Sequence, residues 1–461
     1  MFKYLSLLLV ILATQSTLLR AQNPIIQTYY TADPAPMVYN GRVYLYTTHD
    51  EDETVDNFFT MYDWRCYSSD DMVNWTDHGA VASLEDFKWS EKTNGAWAPQ
   101  CIERNGKFYL YCPIHGDGIG VLVADSPEGP FVDPIGKRLI ESDNIWLDID
   151  PTVLIDDDGQ AYLFWGNPVL KYAKLNEDMV SCDTSIGDHG VISVEMTHEG
   201  FGTMEGRDGE TRTTYTEGPW IYKANDIYYL VYAAAGIPEY IAYSTSSSIE
   251  GPWEYKGFIM ERADQLAFTN HSGIIDYKEN PYFFYHSQGL PGGEGFRRSV
   301  CVEQFSYNAD GSIPLILPTN EGVTKGLANL NAYDRVEAET IAWSEGVKTY
   351  CSRLSGMYLT AKHNDAFTKV RDVDFREKGS VSFTTRLGTT HNGGVSMELR
   401  LDSLNGKLIG TVDVPLTVSD DEWALKTIDV EKVTGVHDLY FVFKGKVSGN
   451  ILNVDYWSFS E

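Results

Sequence analysis

Residues 97–111 read WAPQCIERNGKFYLY. A Trp and a Pro lead into a short apolar stretch, Asn105-Gly106 interrupts it, and a second apolar stretch opens on aromatics. Asn-Gly between two apolar runs is the strongest short-range signal for a β-hairpin, because both central residues of the tight turn need positive φ. The figure recurs, imperfectly, as DPAPMVYNGRVYLY (33–46), DPTVLIDDDGQAYLF (150–164), EGPWIYKANDIYYLV (217–231) and HSGIIDYKENPYFFY (271–285). The aromatic pairs begin at Tyr44, Tyr109, Tyr162, Tyr229 and Phe283, at spacings of 65, 53, 67 and 54 residues. Further turn cues such as SSDDMVNW, DSPEGPF and TSSSIEGPW follow most hairpins and leave room for four strands per repeat. Four-stranded antiparallel units repeated around an axis make a β-propeller. The sequence therefore predicts an all-β chain with a five-bladed propeller over residues 24–325.

In a propeller the first strand of each blade lines the central channel, and all first strands run the same way. Their opening residues meet at one rim. Asp33, Trp97, Asp150, Glu217 and His271 hold that position in the five repeats. A single acid at a strand end ordinarily faces water, and Asp-Pro is a common turn dipeptide. Three carboxylates at matching positions in three blades point to chemistry instead. No Ser–His or Cys–His nucleophile pattern accompanies them. Two carboxylates across a pocket suit acid/base hydrolysis of a glycosidic bond, one protonating the leaving oxygen and the other deprotonating water. A third can raise the acid's pKa by repulsion and orient it. Glu217 lies between Tyr215 and Trp220, an apolar setting that favours its neutral form. Asp33 lies beside Thr31 and backbone donors that can hold an anion. That reading makes Glu217 the acid, Asp33 the base and Asp150 the modulator.

The motifs TADPAP, DIDPTV and TEGPW, in that order on five repeats, resemble glycoside hydrolase family 43. The resemblance implies an Asp base, an Asp modulator and a Glu acid acting with inversion, at Asp33, Asp150 and Glu217, on arabinofuranosyl or xylosyl linkages of plant polysaccharides. It also implies a channel metal ion, usually calcium, near His271 of TNHSGI, although a lone His is more often a satisfied polar residue. Trp97 and Trp165 are candidates to stack on sugar, with core packing as the plain alternative. Arg298, ahead of an apolar strand, needs a partner among the pocket carboxylates or a sugar hydroxyl. His49 and Asp50 can rim the pocket or belong to a solvated acidic loop.

Composition narrows the partners. The 461 residues carry 66 acidic against 36 basic side chains, which disfavours nucleic acid and anionic membranes. Aromatic residues reach 13%, well suited to sugar faces as well as cores. The N-terminal MFKYLSLLLVILATQSTLLRAQ reads as a secretory signal over residues 1–21, too short for comfort as a membrane span, so the mature protein is expected to be secreted or periplasmic. The six cysteines match no zinc spacing; export permits disulfides, but Cys101 and Cys112 lie in strand-like runs where buried thiols are equally at home.

After residue 332 the blade signature stops. VSFTTRLG, GVSMELRLDS, LIGTVDVPL and HDLYFVFKG are alternating strands of a β-sandwich over 333–461. VEAETIAW and NVDYWSF resemble carbohydrate-binding module family 6, a jelly roll. The resemblance implies a structural calcium at Glu337, Glu339 and Asp455, against the plain reading of solvated charge, and a sugar cleft with aromatics and an Asn, here Asn453. Asp420 and Asp421 stand where an aromatic is expected ahead of Trp423, which puts that cleft in doubt.

Together these readings predict a secreted, inverting glycoside hydrolase releasing L-arabinofuranose from arabinoxylan or related cell-wall polysaccharides. β-Xylosidase or endo-arabinanase activity is the alternative on the same scaffold. A non-catalytic sugar-binding propeller is the alternative of another class, and the acidic triplet argues against it.

Overall fold

The structure, a computed structural model, describes residues 22–141, 146–353, 355–419, 422–447 and 449–461. The expected signal segment and the Asp420–Asp421 pair lie outside them. The chain divides into two compact units, one of residues 29–66 and 80–319, the other gathering 22–28, 67–79 and 320–461.

The hairpins form as their turns dictate. Asn40-Gly41, Asn105-Gly106, Asn225-Asp226 and Lys278-Glu279 all have positive φ at both central residues. The flanking pairs Tyr39↔Arg42, Arg104↔Lys107, Ala224↔Ile227 and Tyr277↔Asn280 close two-residue loops. The fourth of these turns does so without glycine. In the third repeat Ile155 pairs with Ala161, so a longer loop of 156–160 takes the turn.

Five antiparallel sheets follow in chain order. Their first strands are Tyr30–Tyr39, Gln100–Arg104, Thr152–Ile155, Tyr215–Ala224 and Gly273–Tyr277. Each first strand packs against the next, and Gly273–Tyr277 packs back against Tyr30–Tyr39, which closes a ring as five blades require. The closure needs a glycine. A Cβ on Gly273 would lie 2.4 Å from Pro36 Cδ and 2.8 Å from the Pro34 carbonyl oxygen.

The first strands are bent where the acids stand. Register shifts fall between Ala32 and Ala35 and on both sides of Glu217. Asp33 and Asp150 adopt φ of 52° and 57°, and Gly218 takes 60°. Bulges of this kind re-aim side chains at sites, and Asp tolerates the left-handed region better than most residues.

The C-terminal portion is a two-sheet β-sandwich. One sheet runs Leu330–Asn331, Phe367–Asp374, Val436–Gly445, Val395–Leu401, Leu408–Asp413; the other Val347–Ser352, Gly356–Ala361, Leu452–Ser460, Ser380–Gly388, Ala424–Val433. Val395, Met397, Leu399 and Leu401 point inward while Ser396, Glu398 and Arg400 alternate outward. Phe383, Phe441, Trp457 and Phe459 form the aromatic centre of the core.

Candidate active site

All five strand-mouth residues, Asp33, Trp97, Asp150, Glu217 and His271, line one cavity of about 700 Å³ in the propeller unit. That size suits a small-molecule or sugar site.

Asp33 is held as an anion. Arg298 donates from Nη1 to Asp33 Oδ1 at 3.0 Å and from Nη2 to Oδ2 at 3.3 Å, and Thr48 Oγ1 donates to Oδ2 at 2.9 Å. The same guanidinium donates from Nε and Nη2 to Asp50 at 2.9 Å each. Arg298, Asp33 and Asp50 are all buried. Burial pushes the Asp33 carboxyl up, but Arg298 foremost, then the neighbouring His286 and His271 and the Thr48 hydroxyl, outweigh it and leave it below the usual range. His286 accepts from the Asp33 amide at Nδ1 (3.2 Å) and donates from Nε2 to the Thr269 carbonyl at 2.8 Å. Burial and then Arg298 lower its pKa to about 3, so it is neutral and its 3.5 Å approach to Asp33 Oδ1 is no ion pair.

Glu217 is held as an acid. Burial first, with Asp33 repulsion added, raises its pKa to about 7 despite the hydrogen bond from Asn167. Asp150 is also pushed well above the carboxylate range, by burial and then by Glu217 and Asp33, although Gly218 N–H donates to its Oδ2 at 2.9 Å. An ionised Glu217 thus disfavours the ionised form of Asp150 beside it.

Aromatic rings form the wall. Phe58, Phe59, Trp97, Trp146, Phe268 and Phe296 line the cavity. Trp97 stacks on His115 with centroids 3.9 Å apart and planes 8° from parallel.

Two expected pocket residues lie elsewhere. Trp165 is fully buried, with Nε1 donating to Asp148 Oδ1 at 3.0 Å, and does not line the cavity; its alternation along the strand turns it into the core. His49 does not line it either. Its Nδ1 sits 3.1 Å from Asp63 Oδ1 and 3.6 Å from Glu51 Oε1, and its ring meets Tyr29 edge-on. Asp50, the other candidate of that loop, does belong to the site, buried on Arg298, whereas Asn167, Glu239 and His286 belong to it and were not singled out.

Two places fit a cation. His271 is buried and held neutral, chiefly by burial, and the adjoining Thr269 Oγ1, Asn270 Oδ1 and Ser272 Oγ are buried without partners. Neutral oxygen and nitrogen donors of this kind fit a hard ion. In the sandwich, Val336–Glu337 pairs with Leu452–Ser460 in one sheet, which brings the two ends of the module together. Glu339 Oε2 and Asp455 Oδ1 are buried with no hydrogen-bond partner. Burial, then repulsion from Glu337, Asp77 and Asp455, drives the Glu339 carboxyl well above its usual range, the imbalance a divalent cation relieves. Glu337 and Asp455 are meanwhile engaged by Arg335 at 2.7 Å and Arg386 at 2.5 Å. Among the described residues the one set of three whose ligand atoms lie within 4.8 Å of one another is His49, Glu51 and Asp63.

Asn453, expected in a sugar cleft, is buried and accepts from Thr360 Oγ1 at 2.7 Å. All six cysteines are free thiols, Cys351 alone being exposed.

A ring of sheets with three carboxyls at its mouth, one held as an anion by Arg298 and another with its pKa raised by burial, presents the contrasting carboxyls that a glycosidase site uses. The description Glycosyl hydrolases family 43 matches residues 21–313, and Carbohydrate binding module (family 6) matches 337–461. The chain belongs to glycoside hydrolase family 43 and carries a family 6 module. It is 34% identical to an arabinoxylan arabinofuranohydrolase of Bacillus subtilis (strain 168), over 95% of this chain and 92% of that protein. An enzyme of the same name from Paenibacillus polymyxa is also 34% identical, over 95% of this chain and 74% of its own length. The solved structure of a family 43 arabinoxylan arabinofuranohydrolase from Bacillus subtilis, in complex with cellotetraose, superposes with a TM-score of 0.81 at 33% identity, covering 96% of this chain and 98% of that one.

Proposed function

We propose that this protein is an exported, inverting α-L-arabinofuranosidase that releases L-arabinofuranose from arabinoxylan and related plant cell-wall polysaccharides. The observation that carries the reading is the contrast inside one cavity, an ionised Asp33 clamped by Arg298 beside a Glu217 whose pKa is raised to about 7. Similarity to arabinoxylan arabinofuranohydrolases over nearly the whole chain supports the substrate.

Glu217 gives its proton to the glycosidic oxygen as the anomeric C–O bond breaks. Asp33 takes a proton from the water that attacks the anomeric carbon from the opposite face. Asp150 accepts from the amide next to Glu217 and, by repelling the ionised carboxylate, favours the loaded acid. Arg298 fixes the base, and the aromatic wall with Trp97 receives the sugar rings. Calcium held by Glu337, Glu339 and Asp455 would neutralise buried acids and tie the ends of the sandwich, and a second ion beside His271 would add positive charge to the channel. The N-terminal reading supports export.

Sugars released from arabinoxylan, arabinan and xylo-oligosaccharides test the substrate. Proton NMR of the first product tests the stereochemistry: the β-anomer of arabinose is expected first from an α-linked substrate. Initial appearance of the α-anomer rules out inversion, and xylose as the main product rules out the arabinofuranosidase reading.

A further inference from the structure

Gln22 follows directly on the expected signal segment, and it is 2% exposed. Residues near a terminus are poorly ordered unless something ties them down. Here the side chain does the tying. Its Nε2 donates to the Val73 carbonyl at 2.8 Å and to the Ala342 carbonyl at 3.0 Å, and its Oε1 accepts from Arg371 Nη1 at 2.8 Å. The Gln22 backbone N–H donates to the Asn320 carbonyl at 2.9 Å. The side-chain partners lie 51, 320 and 349 residues away, all within one compact unit. Val73 and Ala342 are themselves buried. Two carbonyls face the NH₂ and a guanidinium faces the oxygen, so the position reads glutamine in particular. A glutamate would set oxygen against both carbonyls, and a lysine could not accept from Arg371.

An N-terminal glutamine can close on itself. Its α-amine attacks Cδ, the N–Cδ bond forms, the Cδ–Nε2 bond breaks, and ammonia leaves with a proton from the amine, giving 5-oxoproline. The α-amine titrates near neutral pH, so the nucleophile is present in ordinary buffer. Ring closure removes Nε2 and pulls Cδ back onto the residue's own nitrogen. The buried carbonyls of Val73 and Ala342 lose this donor, and Arg371 loses this acceptor. The native contacts and the ring therefore exclude one another.

We propose that Gln22 is a modification site guarded by the fold: cleavage after Ala21 makes it the N-terminal residue, the buried clasp keeps its amide from cyclising to 5-oxoproline, and a chain that cyclises before folding cannot close the clasp. The inference rests on the export reading for the cleavage alone. In the folded protein the reaction waits on opening of the terminal segment, and in the unfolded chain it does not.

Protein made to begin at Gln22, by a protease that cuts directly before it, separates the clasp from export. Mass spectrometry follows the loss of ammonia in neutral buffer with and without urea. Loss is expected to be at least about tenfold slower without urea, because the folded amide reacts only through opened states. After urea is removed, the cyclised chain should unfold at a lower temperature than uncyclised chain carried briefly through urea. Gln22→Ala, which cannot cyclise, should show a lowered temperature that does not depend on time in urea. Equal rates with and without urea overturn the guard. Equal unfolding temperatures of cyclised and uncyclised protein overturn the clasp. The mass and N-terminal sequence of protein exported with its own leader complete the test: Gln22 first, with its ammonia retained, is expected. A start elsewhere, or Gln22 already cyclised, overturns the proposal while leader removal still stands for export. A secreted fraction lacking the protein, with residues 1–21 retained in the cell, fails the export reading and the proposal together.

Discussion

The amide of Gly218, the residue after Glu217, donates to Asp150 Oδ2 at 2.9 Å across 68 residues of chain. One bulge thus sets both carboxyls, because the turn that aims Glu217 also anchors Asp150. The position demands glycine twice over. Its φ is +60°, and a Cβ would come 3.2 Å from His271 Nδ1. Gly218→Ala is expected to cost about 1–2 kcal/mol for the left-handed backbone alone. Thermal unfolding with kcat measured on the folded fraction checks it; activity should fall beyond the loss of folded protein, because Asp150 moves with the amide.

Asp33→Ala should collapse turnover on every substrate, since no leaving group replaces a missing base. Glu217→Ala should lose roughly 10²–10⁴-fold on natural linkages and far less on a nitrophenyl arabinofuranoside, whose leaving group departs unprotonated. Comparing kcat/KM on the two substrates decides it; equal losses on both mean that Glu217 is not the acid.

The alkaline limb of kcat/KM should fall near pH 7, because activity needs Glu217 protonated and its pKa is raised to about 7. Asp150→Asn removes a carboxyl that repels Glu217 wherever it is ionised, so Glu217 ionises more readily and the limb moves toward acid. Burial is the largest cause of the shift and is untouched, so the limb should stay above the ordinary Glu range. A limb that does not move would show Asp150 to be already protonated over the working range.

Arg298→Ala leaves Asp33 and Asp50 buried without their cation, at a cost of roughly 3–5 kcal/mol. With Arg298 gone, burial is opposed only by weaker partners and the Asp33 carboxyl rises, so the acidic limb should move to higher pH. Lysine should not rescue the profile, because one ammonium cannot reproduce the fork that engages both acids. Urea unfolding and the pH–rate profile read the two effects separately.

If calcium occupies the sandwich acids, a chelator should lower the unfolding temperature of the full-length protein, and Glu339→Gln should abolish that sensitivity. Calorimetry with and without chelator, metal content being assayed beforehand, gives the answer. A calcium-loaded protein indifferent to chelation would leave Glu339 a buried acid with no such role.

The ring and its rim were legible because hairpin turns and apolar runs are local signals repeated five times. Even the Lys278-Glu279 turn was found by its flanking strands, without the expected glycine. Arg298 was legible because an Arg ahead of a buried strand must find acids. Trp165 misled because its place in a blade says nothing of which face it takes; its indole is turned to Asp148. Glu239 and Asn167 lie on loops beyond the repeat, and their place in the cavity beside Glu217 is a property of the assembled ring. The one local clue was a lone acid in GIPEY between two apolar strands, which a search for buried charge can find.

The clamp between Asp33 and Arg298 joins residues 265 apart in the chain. Contacts of that separation carry a large loop-closure entropy and form late. A chain emerging from its N-terminus carries Asp33 early, ionised by water, but can bury it as an anion only when the fifth sheet arrives with Arg298 and the ring locks. The catalyst is therefore a timing device of its own folding: a truncated or half-folded chain holds every carboxyl and no working site, so activity reports completed closure.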